Sequence, residues 1–261
     1  MELGEILEVC KNLAKTAGQK ILAIYESQDL DIRYKEDHSP LTKADRASNK
    51  IIVSALKDKY PDYAILSEEE KDDKSRLDKD WCFVIDPLDG TKEFIKRNGE
   101  FTVNIALTYK HQAILGVIYV PVTRELYYAA KGLGCFLDSP KEEGKRLFVS
   151  NLTGSNQIRM VMSSSHGSPR LGAMIEKYQI THFKKMGSSI KGCLIARGDA
   201  EVYYRDTPTM EWDTCAMQVI VEEAGGIFRQ GDGSKMMYNR KDSLNSKGFY
   251  ILNTMENMFE F

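Results

Sequence analysis

Two aspartates, Asp86 and Asp89, end a hydrophobic run at residues 81–85 that predicts a buried strand. A proline and a glycine accompany them, so the chain is expected to turn sharply at this point. Such a turn can direct both carboxylates and the carbonyl oxygen of Leu88 at one point in space. Magnesium prefers oxygen ligands of this kind, and backbone N–H groups at a turn suit a phosphate. The pattern predicts a site for a divalent metal and a phosphate.

A second acidic pair, Glu68 and Glu69, follows the apolar run at residues 63–66. We expect two neighbouring strands to carry acids to the same edge of a sheet. Like charges this close repel, so the carboxylates must either take up protons or bind a cation. Glu68 would then be a third carboxylate ligand, and Glu69 would orient a ligand or a water from further out. Because Asp and Pro are common turn residues, an ordinary surface turn at 86–89 stays open as an alternative.

Helical spacing of apolar residues predicts two helices in the first part of the chain. The first runs from Leu3 to Ile24. Thr42 is a suitable N-cap for the second, and Pro61 marks its end. Asp45 is therefore expected in the first turn of the second helix.

The rest of the chain separates into two patterns. From Phe101, turn signals divide four predicted strands of an antiparallel sheet, at 101–107, 113–120, 125–129 and 134–137. Beyond Asn151 the elements alternate, with strands at 159–162, 182–186 and 200–204 and helices at 169–178, 188–196 and 211–224. We predict two closely packed halves, residues 1–150 and 151–261, with a ligand between them.

The composition is that of an ordinary globular protein, with 42% hydrophobic and 28% charged residues. A formal net charge of -2 offers no broad positive surface to a nucleic acid polymer or an anionic membrane. We expect no integral membrane segment, because no apolar run could span a bilayer, and no signal peptide, because the first five residues lack a cationic segment. Five scattered cysteines without a CxxC pair indicate reduced thiols. These features predict a cytoplasmic protein, with peripheral attachment at the inner membrane left open.

Four ordered segments resemble the signatures of one enzyme family. Residues 86–91, Asp-Pro-Leu-Asp-Gly-Thr, resemble the main signature of the inositol monophosphatase-like family of magnesium-dependent, lithium-sensitive phosphomonoesterases. The other matching segments are 41–45 (Leu-Thr-Lys-Ala-Asp), 65–69 (Ile-Leu-Ser-Glu-Glu) and 211–216 (Glu-Trp-Asp-Thr-Cys-Ala), the last continuing through 222–226. The resemblance covers nearly the whole chain. It implies an α+β fold, the layered α-β-α-β-α sandwich of the sugar phosphatase and inositol monophosphatase type.

The resemblance also implies a set of metal ligands. The carboxylates of Glu68, Asp86, Asp89 and Asp213 and the carbonyl oxygen of Leu88 would bind two or three magnesium ions. Those ions would activate a water for in-line attack and stabilise the leaving oxygen. For Asp213 an alternative remains open, since an acid in the first turn of a helix also complements the helix dipole.

Other matched positions would act on the water and the phosphate. Thr91 matches the threonine that orients the attacking water, and Asp45 matches the aspartate that polarises it. Glu69 is assigned to the same catalytic group, although it would lie outside the set of metal ligands. The backbone N–H groups of Gly90 and Thr91 would hold the phosphate.

The residues after the turn favour one branch of the family. Lys92, Glu93 and Phe94 stand where inositol monophosphatases usually have Thr-Asn-Phe. The segment 92–107 resembles the bacterial branch that hydrolyses 3'-phosphoadenosine 5'-phosphate to AMP and phosphate. The implied activity is that of a 3'(2'),5'-bisphosphate nucleotidase, with a small nucleoside bisphosphate as substrate.

Such a substrate needs positive charge for its 5'-phosphate and a contact surface for adenine. Ser165 and His166 resemble the segment that meets the nucleoside, while Ser188 and Lys191 resemble the segment that holds the 5'-phosphate. Arg205 would complete the clamp on that phosphate. As alternatives, Lys191 and Arg205 are surface cations that pack along their stems, and His166 is a loop histidine without a ligand.

Two other functions stay open from the sequence. An inositol or sugar monophosphatase could use the same scaffold and the same metal site. A non-catalytic nucleotide or metal sensor could use the fold without its chemistry, although such a binder would not need Thr91 and Asp45. The expected assembly is a monomer or a weak homodimer.

Overall fold

The structure, a computed structural model, describes residues 3–27, 29–35, 38–164 and 167–260. The helices of these ranges are α1 (Leu3–Tyr25), α2 (Lys43–Lys59), α3 (Thr91–Ile95), α4 (Pro169–Lys177), α5 (Ile190–Ala196) and α6 (Glu211–Glu223). The strands are β1 (Arg33–Tyr34), β2 (Pro40–Leu41), β3 (Ala64–Ser67), β4 (Trp81–Asp89), β5 (Thr102–Tyr109), β6 (Gln112–Val120), β7 (Glu125–Ala130), β8 (Gly134–Asp138), β9 (Lys145–Arg146), β10 (Arg159–Ser163), β11 (His182–Met186), β12 (Val202–Arg205), β13 (Thr209–Met210), β14 (Ile227–Gln230), β15 (Leu244–Asn245) and β16 (Phe249–Leu252). Short 3-10 helices span Ser75–Asp78 and Met255–Asn257.

The larger sheet has seven strands in the order β3-β4-β5-β6-β7-β8-β9. Strand β3 runs parallel to β4, and each later strand is antiparallel to its neighbour. Ser67, the last residue of β3, pairs with Ile85 of β4. The next residues, Glu68 and Asp86, therefore emerge at the same sheet edge, which confirms the predicted convergence of the two acidic groups.

The second sheet has five strands in the order β11-β10-β12-β16-β14. Strand β10 is parallel to both β11 and β12, whereas β16 is antiparallel to β12 and β14. Two small ladders, β1 with β2 and β13 with β15, lie outside the two sheets. Both ladders contribute residues to the cleft described below.

Helices and sheets alternate in layers. Helices α1 and α2 pack on one face of the seven-stranded sheet, and α5 and α6 lie between the two sheets. Helix α4 covers the outer face of the five-stranded sheet through Leu171 and Met174. In β4, Phe83 faces α1 and α2 while Val84 faces the central layer, as the two-residue period of a strand requires. The predicted α-β-α-β-α sandwich is confirmed.

Most predicted elements are present; apart from the two-residue strands, which were not predicted, the structure differs from the prediction in two respects. The predicted helix 188–196 begins only at Ile190, because the backbone of Ser188 has φ +46° and so lies in the left-handed region. Strands β14 and β16 were not predicted, since each has only four residues, too few for a periodic pattern to mark it. The predicted stop of α6 is confirmed by Gly225, which follows the helix with φ +92°.

The two predicted halves share one continuous hydrophobic layer. The seven-stranded sheet ends at Arg146 and the five-stranded sheet begins at Arg159, yet side chains of both sheets pack around α5 and α6. The division at residue 150 stays a prediction. All five cysteines are buried as free thiols. Across the part of the chain that the structure describes, no helix combines the length and the hydropathy needed to cross a membrane.

Candidate active site

A cleft of about 560 Å³ opens between the two sheets. Eight of the predicted site residues line it: Glu68, Asp89, Gly90, Thr91, Ser188, Lys191, Arg205 and Asp213. Tyr203, Trp212, Leu244 and Phe249 add apolar surface to the wall formed by the second half. The cleft therefore joins an acidic end, where β4 ends, to a cationic end beside α5 and β12.

At the acidic end, Asp86, Asp89 and Asp213 each place a carboxylate oxygen within 4.8 Å of the others. Burial and the charges of Glu68, Asp89 and Asp213 raise the pKa of Asp86 well above its usual value. Burial, followed by the charge of Asp89, raises the pKa of Asp213 to about 8. Because these carboxylates repel one another away from bulk water, a cation between them would be strongly favoured.

Glu68 contacts both the acidic trio and a cation supplied by the chain. Burial raises the pKa of Glu68, and its carboxyl group is within hydrogen-bonding contact of Asp86. Lys35 Nζ lies 2.8 Å from Glu68 Oε1 and 2.7 Å from Glu69 Oε1. Burial raises the pKa of Glu69 to about 7, against the opposing effect of the Lys35 hydrogen bond. Lys35 thus partly neutralises the two glutamates at the edge of the cleft.

The bend after β4 is held by local contacts. Asp86 Oδ1 accepts a hydrogen bond from the Leu88 N–H at 3.0 Å, and Ser48 Oγ donates to the Pro87 carbonyl at 2.7 Å. Gly90 follows with φ +93°, and a Cβ atom there would lie 2.9 Å from the Glu100 carbonyl oxygen. Only glycine fits this backbone conformation and this spacing. The bend then leads directly into α3, which starts at Thr91.

Thr91 and Asp45 are joined by a hydrogen bond. Thr91 Oγ1 lies 3.1 Å from Asp45 Oδ1 and 3.4 Å from the Leu88 carbonyl oxygen. Asp45 is the third residue of α2, and its Oδ2 accepts hydrogen bonds from the N–H and the hydroxyl of Thr42, completing a capping box. Burial raises the pKa of Asp45, while the hydrogen bonds from Thr42 and Thr91 act in the opposite direction. The predicted N-cap and the predicted position of Asp45 are both confirmed.

At the other end of the cleft, Lys191 is almost fully buried, with 4% of its surface exposed. Its ammonium group donates to the carbonyl oxygens of Met186 and Ser188 and lies 5.4 Å from the centre of the Tyr203 ring. Burial lowers the pKa of Lys191 to about 8. This environment excludes the surface-cation alternative for Lys191, because the whole side chain is enclosed.

Arg205 lies beside Lys191 and retains unused hydrogen-bonding capacity. Its Nε atom is buried and has no hydrogen-bond partner among the described residues. A buried donor of this kind is costly unless a ligand or a water satisfies it. Ser165 and His166, which were assigned to the nucleoside, lie outside the described residues.

Three side chains at the acidic end were not predicted. Lys35 reaches Glu68 and Glu69 from the loop between β1 and β2, while Ser189 and Asn104 contact Asp89. Nothing in their local sequence marks Asn104 or Ser189, since each lies in a run that reads as ordinary strand or helix start. The pairing of β4 with β5 sets Asn104 opposite Asp86, and the packing of the layers brings Ser189 to Asp89.

The oxygen donors at the acidic end fit a hard divalent cation. Asp86, Asp89 and Asp213 supply carboxylates at mutual distances that one ion can bridge, and the Leu88 carbonyl lies at the same bend. Glu68 would extend the set on the side of β3. No nitrogen or sulfur donor belongs to this group among the described residues, which favours magnesium over zinc.

Comparison with known proteins identifies relatives along nearly the whole chain. The chain is 37% identical over 249 residues to the 3'(2'),5'-bisphosphate nucleotidase CysQ of Escherichia coli strain K12, covering 94% of this chain and 98% of the relative. It is 41% identical over 253 residues to the CysQ nucleotidase of Buchnera aphidicola, covering 93% of this chain and 91% of the relative. The crystal structure of CysQ from Bacteroides thetaiotaomicron superposes with a TM-score of 0.79 at 40% identity, covering 92% and 94% of the two chains. Residues 2–256 match the inositol monophosphatase family, and the chain belongs to that family.

Proposed function

We propose that this protein is a magnesium-dependent 3'(2'),5'-bisphosphate nucleotidase that converts 3'-phosphoadenosine 5'-phosphate to AMP and phosphate. The observation that carries the proposal is that one cleft contains both an acidic end, with Asp89 and Asp213, and a cationic end, with Lys191 and Arg205. A substrate with two phosphates needs both ends, whereas a monophosphate needs only the first. The CysQ relatives, which bear this activity in their names, support the same substrate class.

Magnesium would be held by the carboxylates of Asp86, Asp89 and Asp213 and the carbonyl of Leu88, with Glu68 available to a second or third ion. Bound there, it would lower the pKa of a water and stabilise the negative charge on the leaving oxygen. The backbone of Gly90 and Thr91 would hold the 3'-phosphate against these ions. Glu69, beside Glu68 and Lys35, would orient water from further out.

Thr91 and Asp45 would orient the attacking water. Because Thr91 uses its only proton to donate to Asp45, its oxygen is left to accept a hydrogen bond from that water. The buried Asp45 carboxylate favours this direction of the hydroxyl and would accept, through the Thr91 hydroxyl, the proton that the water gives up. The water oxygen would then bond to phosphorus as the bond from phosphorus to O3' breaks, and O3' would take a proton from solvent water to become the hydroxyl of AMP.

The cationic end would bind the 5'-phosphate and set the specificity. The buried Nε of Arg205 would gain a charged acceptor, and the guanidinium can form paired hydrogen bonds to phosphate oxygens. Lys191, which donates hydrogen bonds to the carbonyl oxygens of Met186 and Ser188, would add positive charge. Ser188, on the cleft wall, would contribute its hydroxyl. We assign the adenosine to the neighbouring surface of the second half, and Ser165 and His166 remain the residues predicted to contact it.

Three broader assignments remain part of the proposal. The half 1–150 would contribute most of the metal end of the cleft, and the half 151–261 would contribute the nucleotide end. Asp213 belongs to the second half but would be a ligand at the metal end. We place the protein in the cytoplasm, as a monomer or a weak homodimer. Each of these awaits its own measurement.

The test is phosphate release from 3'-phosphoadenosine 5'-phosphate, inositol 1-phosphate and fructose 1,6-bisphosphate under identical conditions. We expect a large preference in kcat/KM for the nucleotide, loss of activity on chelation and recovery on adding magnesium. A preference for inositol or sugar phosphate would keep the metal site and overturn the assigned substrate. No release from any of the three would favour a sensor of nucleotide or metal.

A further inference from the structure

Asp89 is held by a chain of buried hydrogen bonds that passes through Ser189 of the second half. Ser189 Oγ donates to Asp89 Oδ2 at 2.7 Å. Asn104 Nδ2 lies 2.9 Å from Ser189 Oγ and 3.4 Å from the same Asp89 oxygen. Thr102 Oγ1 in turn donates to Asn104 Oδ1 at 2.9 Å. Each residue in this chain donates to the next one, and the last of them donates to the Asp89 carboxylate.

The chain of donors is enclosed and fixes one face of the carboxylate. Ser189 and Asn104 are each 1% exposed, and Thr102 is fully buried, so water does not compete for these hydrogen bonds. Two donors converge on Oδ2 of Asp89, whereas Oδ1 accepts none from the described residues. The aspartate is thereby held in one orientation, with Oδ1 left for a cation. Outer-shell donors of this kind orient metal ligands and tune their affinity.

Ser189 belongs to the same turn as the residues assigned to the 5'-phosphate. Ser188 precedes it in a left-handed conformation, and Lys191 anchors the turn from beneath by donating to the carbonyls of Met186 and Ser188. The N–H of Gly187 donates to Glu100 Oε2 at 2.7 Å, which ties the turn to the first half. The orientation of Asp89 therefore depends on a turn that the other half supplies.

We propose that Ser189 is a positioning residue for the metal centre, through which the nucleotide-binding turn controls the affinity of Asp89 for magnesium. The proposal rests on the proposed function for the identity of the metal, and its test does not depend on turnover. Removing an outer-shell donor typically weakens metal binding by about 10–100-fold. The loss should appear in metal affinity and leave the affinity for AMP largely intact.

The test compares two adjacent serines, Ser189→Ala and Ser188→Ala. Binding of magnesium, and of manganese as a spectroscopic substitute, is measured by titration calorimetry and electron paramagnetic resonance without nucleotide. Binding of AMP is measured without metal. We expect Ser189→Ala to lower the affinity for the metal at least about tenfold, and Ser188→Ala to lower only the affinity for AMP. Wild-type metal affinity in Ser189→Ala would overturn the proposal, as would equal losses in both variants.

Asn104→Ala provides an independent variant, which also serves if Ser189→Ala does not fold. Because Asn104 both contacts Asp89 directly at 3.4 Å and donates to the Ser189 hydroxyl at 2.9 Å, the loss of manganese affinity in the double variant should be smaller than the sum of the two single losses. Additive losses would show that the two residues act separately and would overturn the chain of donors as the mechanism.

Kinetics separates this proposal from the proposed function. In Ser189→Ala the magnesium concentration for half-maximal rate should rise about tenfold or more, while kcat recovers at saturating magnesium. A kcat that stays low in saturating magnesium would overturn the positioning role. If the wild type does not hydrolyse the nucleotide but Ser189→Ala still loses manganese affinity, the proposed function fails and the positioning role stands.

Discussion

Thr91 Oγ1 lies 3.1 Å from Asp45 Oδ1, although the two residues are 46 positions apart in the chain. Each is at the start of a helix, Thr91 as the first residue of α3 and Asp45 in the first turn of α2. The two helix starts therefore meet beside the bend that carries Asp86 and Asp89. Neither side chain is a proposed metal ligand, so the pair is available to orient a water at this point.

Replacing Thr91 with alanine should lower kcat about 10²–10⁴-fold, because the attacking water loses its hydrogen-bond acceptor. Affinity for manganese, measured by titration without substrate, should stay near the wild-type value, since Thr91 supplies no proposed carboxylate ligand. Thr91→Ser keeps the hydroxyl and should retain most of the rate. An inactive Thr91→Ser that binds metal normally would contradict the role of the hydroxyl.

Asp89→Asn should reduce kcat by several orders of magnitude, because one charged ligand is replaced by a neutral group of the same shape. The acidic trio would then hold two carboxylates, so manganese binding should also weaken. The measurement is kcat over a range of magnesium concentrations, with metal titration in parallel. Near-normal turnover in this variant would remove Asp89 from the metal site. Asp232, which is exposed and pairs with Lys247, provides the matched Asp→Asn control.

Arg205→Met should raise KM for 3'-phosphoadenosine 5'-phosphate by about 10–100-fold, because a buried charge-assisted hydrogen bond is worth about 1.5–3 kcal/mol. Hydrolysis of 3'-AMP, which lacks the 5'-phosphate, should change little, so the preference between the two substrates collapses. Equal losses on both substrates would contradict a specific role at the distal phosphate. Lys247→Met, at an exposed lysine that pairs with Asp232, is the control for loss of positive charge.

Binding of AMP should weaken as pH rises through about 8. Burial lowers the pKa of Lys191 to about 8, while the charges of Asp89, Glu93 and Glu100 raise it and that of Arg205 lowers it. The charged form binds phosphate, and it is lost as pH rises above this value. A bound phosphate raises the pKa of Lys191, so AMP binding above pH 8 should take up protons.

Calorimetry of AMP binding between about pH 7 and pH 9.5, without metal, measures this effect. The phosphate of AMP is fully ionised across this range, since its second pKa is about 6. Lys191→Met should bind AMP more weakly at pH 7 and should show a flatter pH profile, which keeps only the contribution of Asp213, whose pKa is also about 8. A variant that keeps the wild-type profile would show that another group titrates.

Lys35→Gln should destabilise the metal-free protein by about 1–3 kcal/mol, because two partly buried glutamates lose a charged partner. Burial alone would lower the pKa of Lys35, but Glu68 and Glu69 raise it above its usual value, so this stabilisation is present at neutral pH. Magnesium should replace the missing charge. The rise in Tm on adding magnesium should then be larger in the variant than in the wild type. Equal rises would show that Lys35 and the metal act on separate groups.

Several features of the site could be predicted because local rules govern them. The bend at 86–90 needs acids, a proline and a glycine in a fixed order, and Gly90 adopts a positive φ that only glycine accepts readily. The capping box places Asp45 in the first turn of α2, and the alternation of β4 sets which side chains face each layer. These preferences act over a few residues, so the amino-acid order alone determines them.

The tertiary structure decided which distant residues complete the site. Lys35 reaches Glu68, Ser189 reaches Asp89, and Asp213 joins the acids of β4, in each case across a junction between layers. The segment 211–216 pointed to Asp213, but nothing local marks Lys35 or Ser189, because a lysine in a loop or a serine before a helix fits many environments. Their positions follow from the packing of the two sheets around α5 and α6, where burial removes water and leaves each charged or polar group dependent on the partner that the fold supplies.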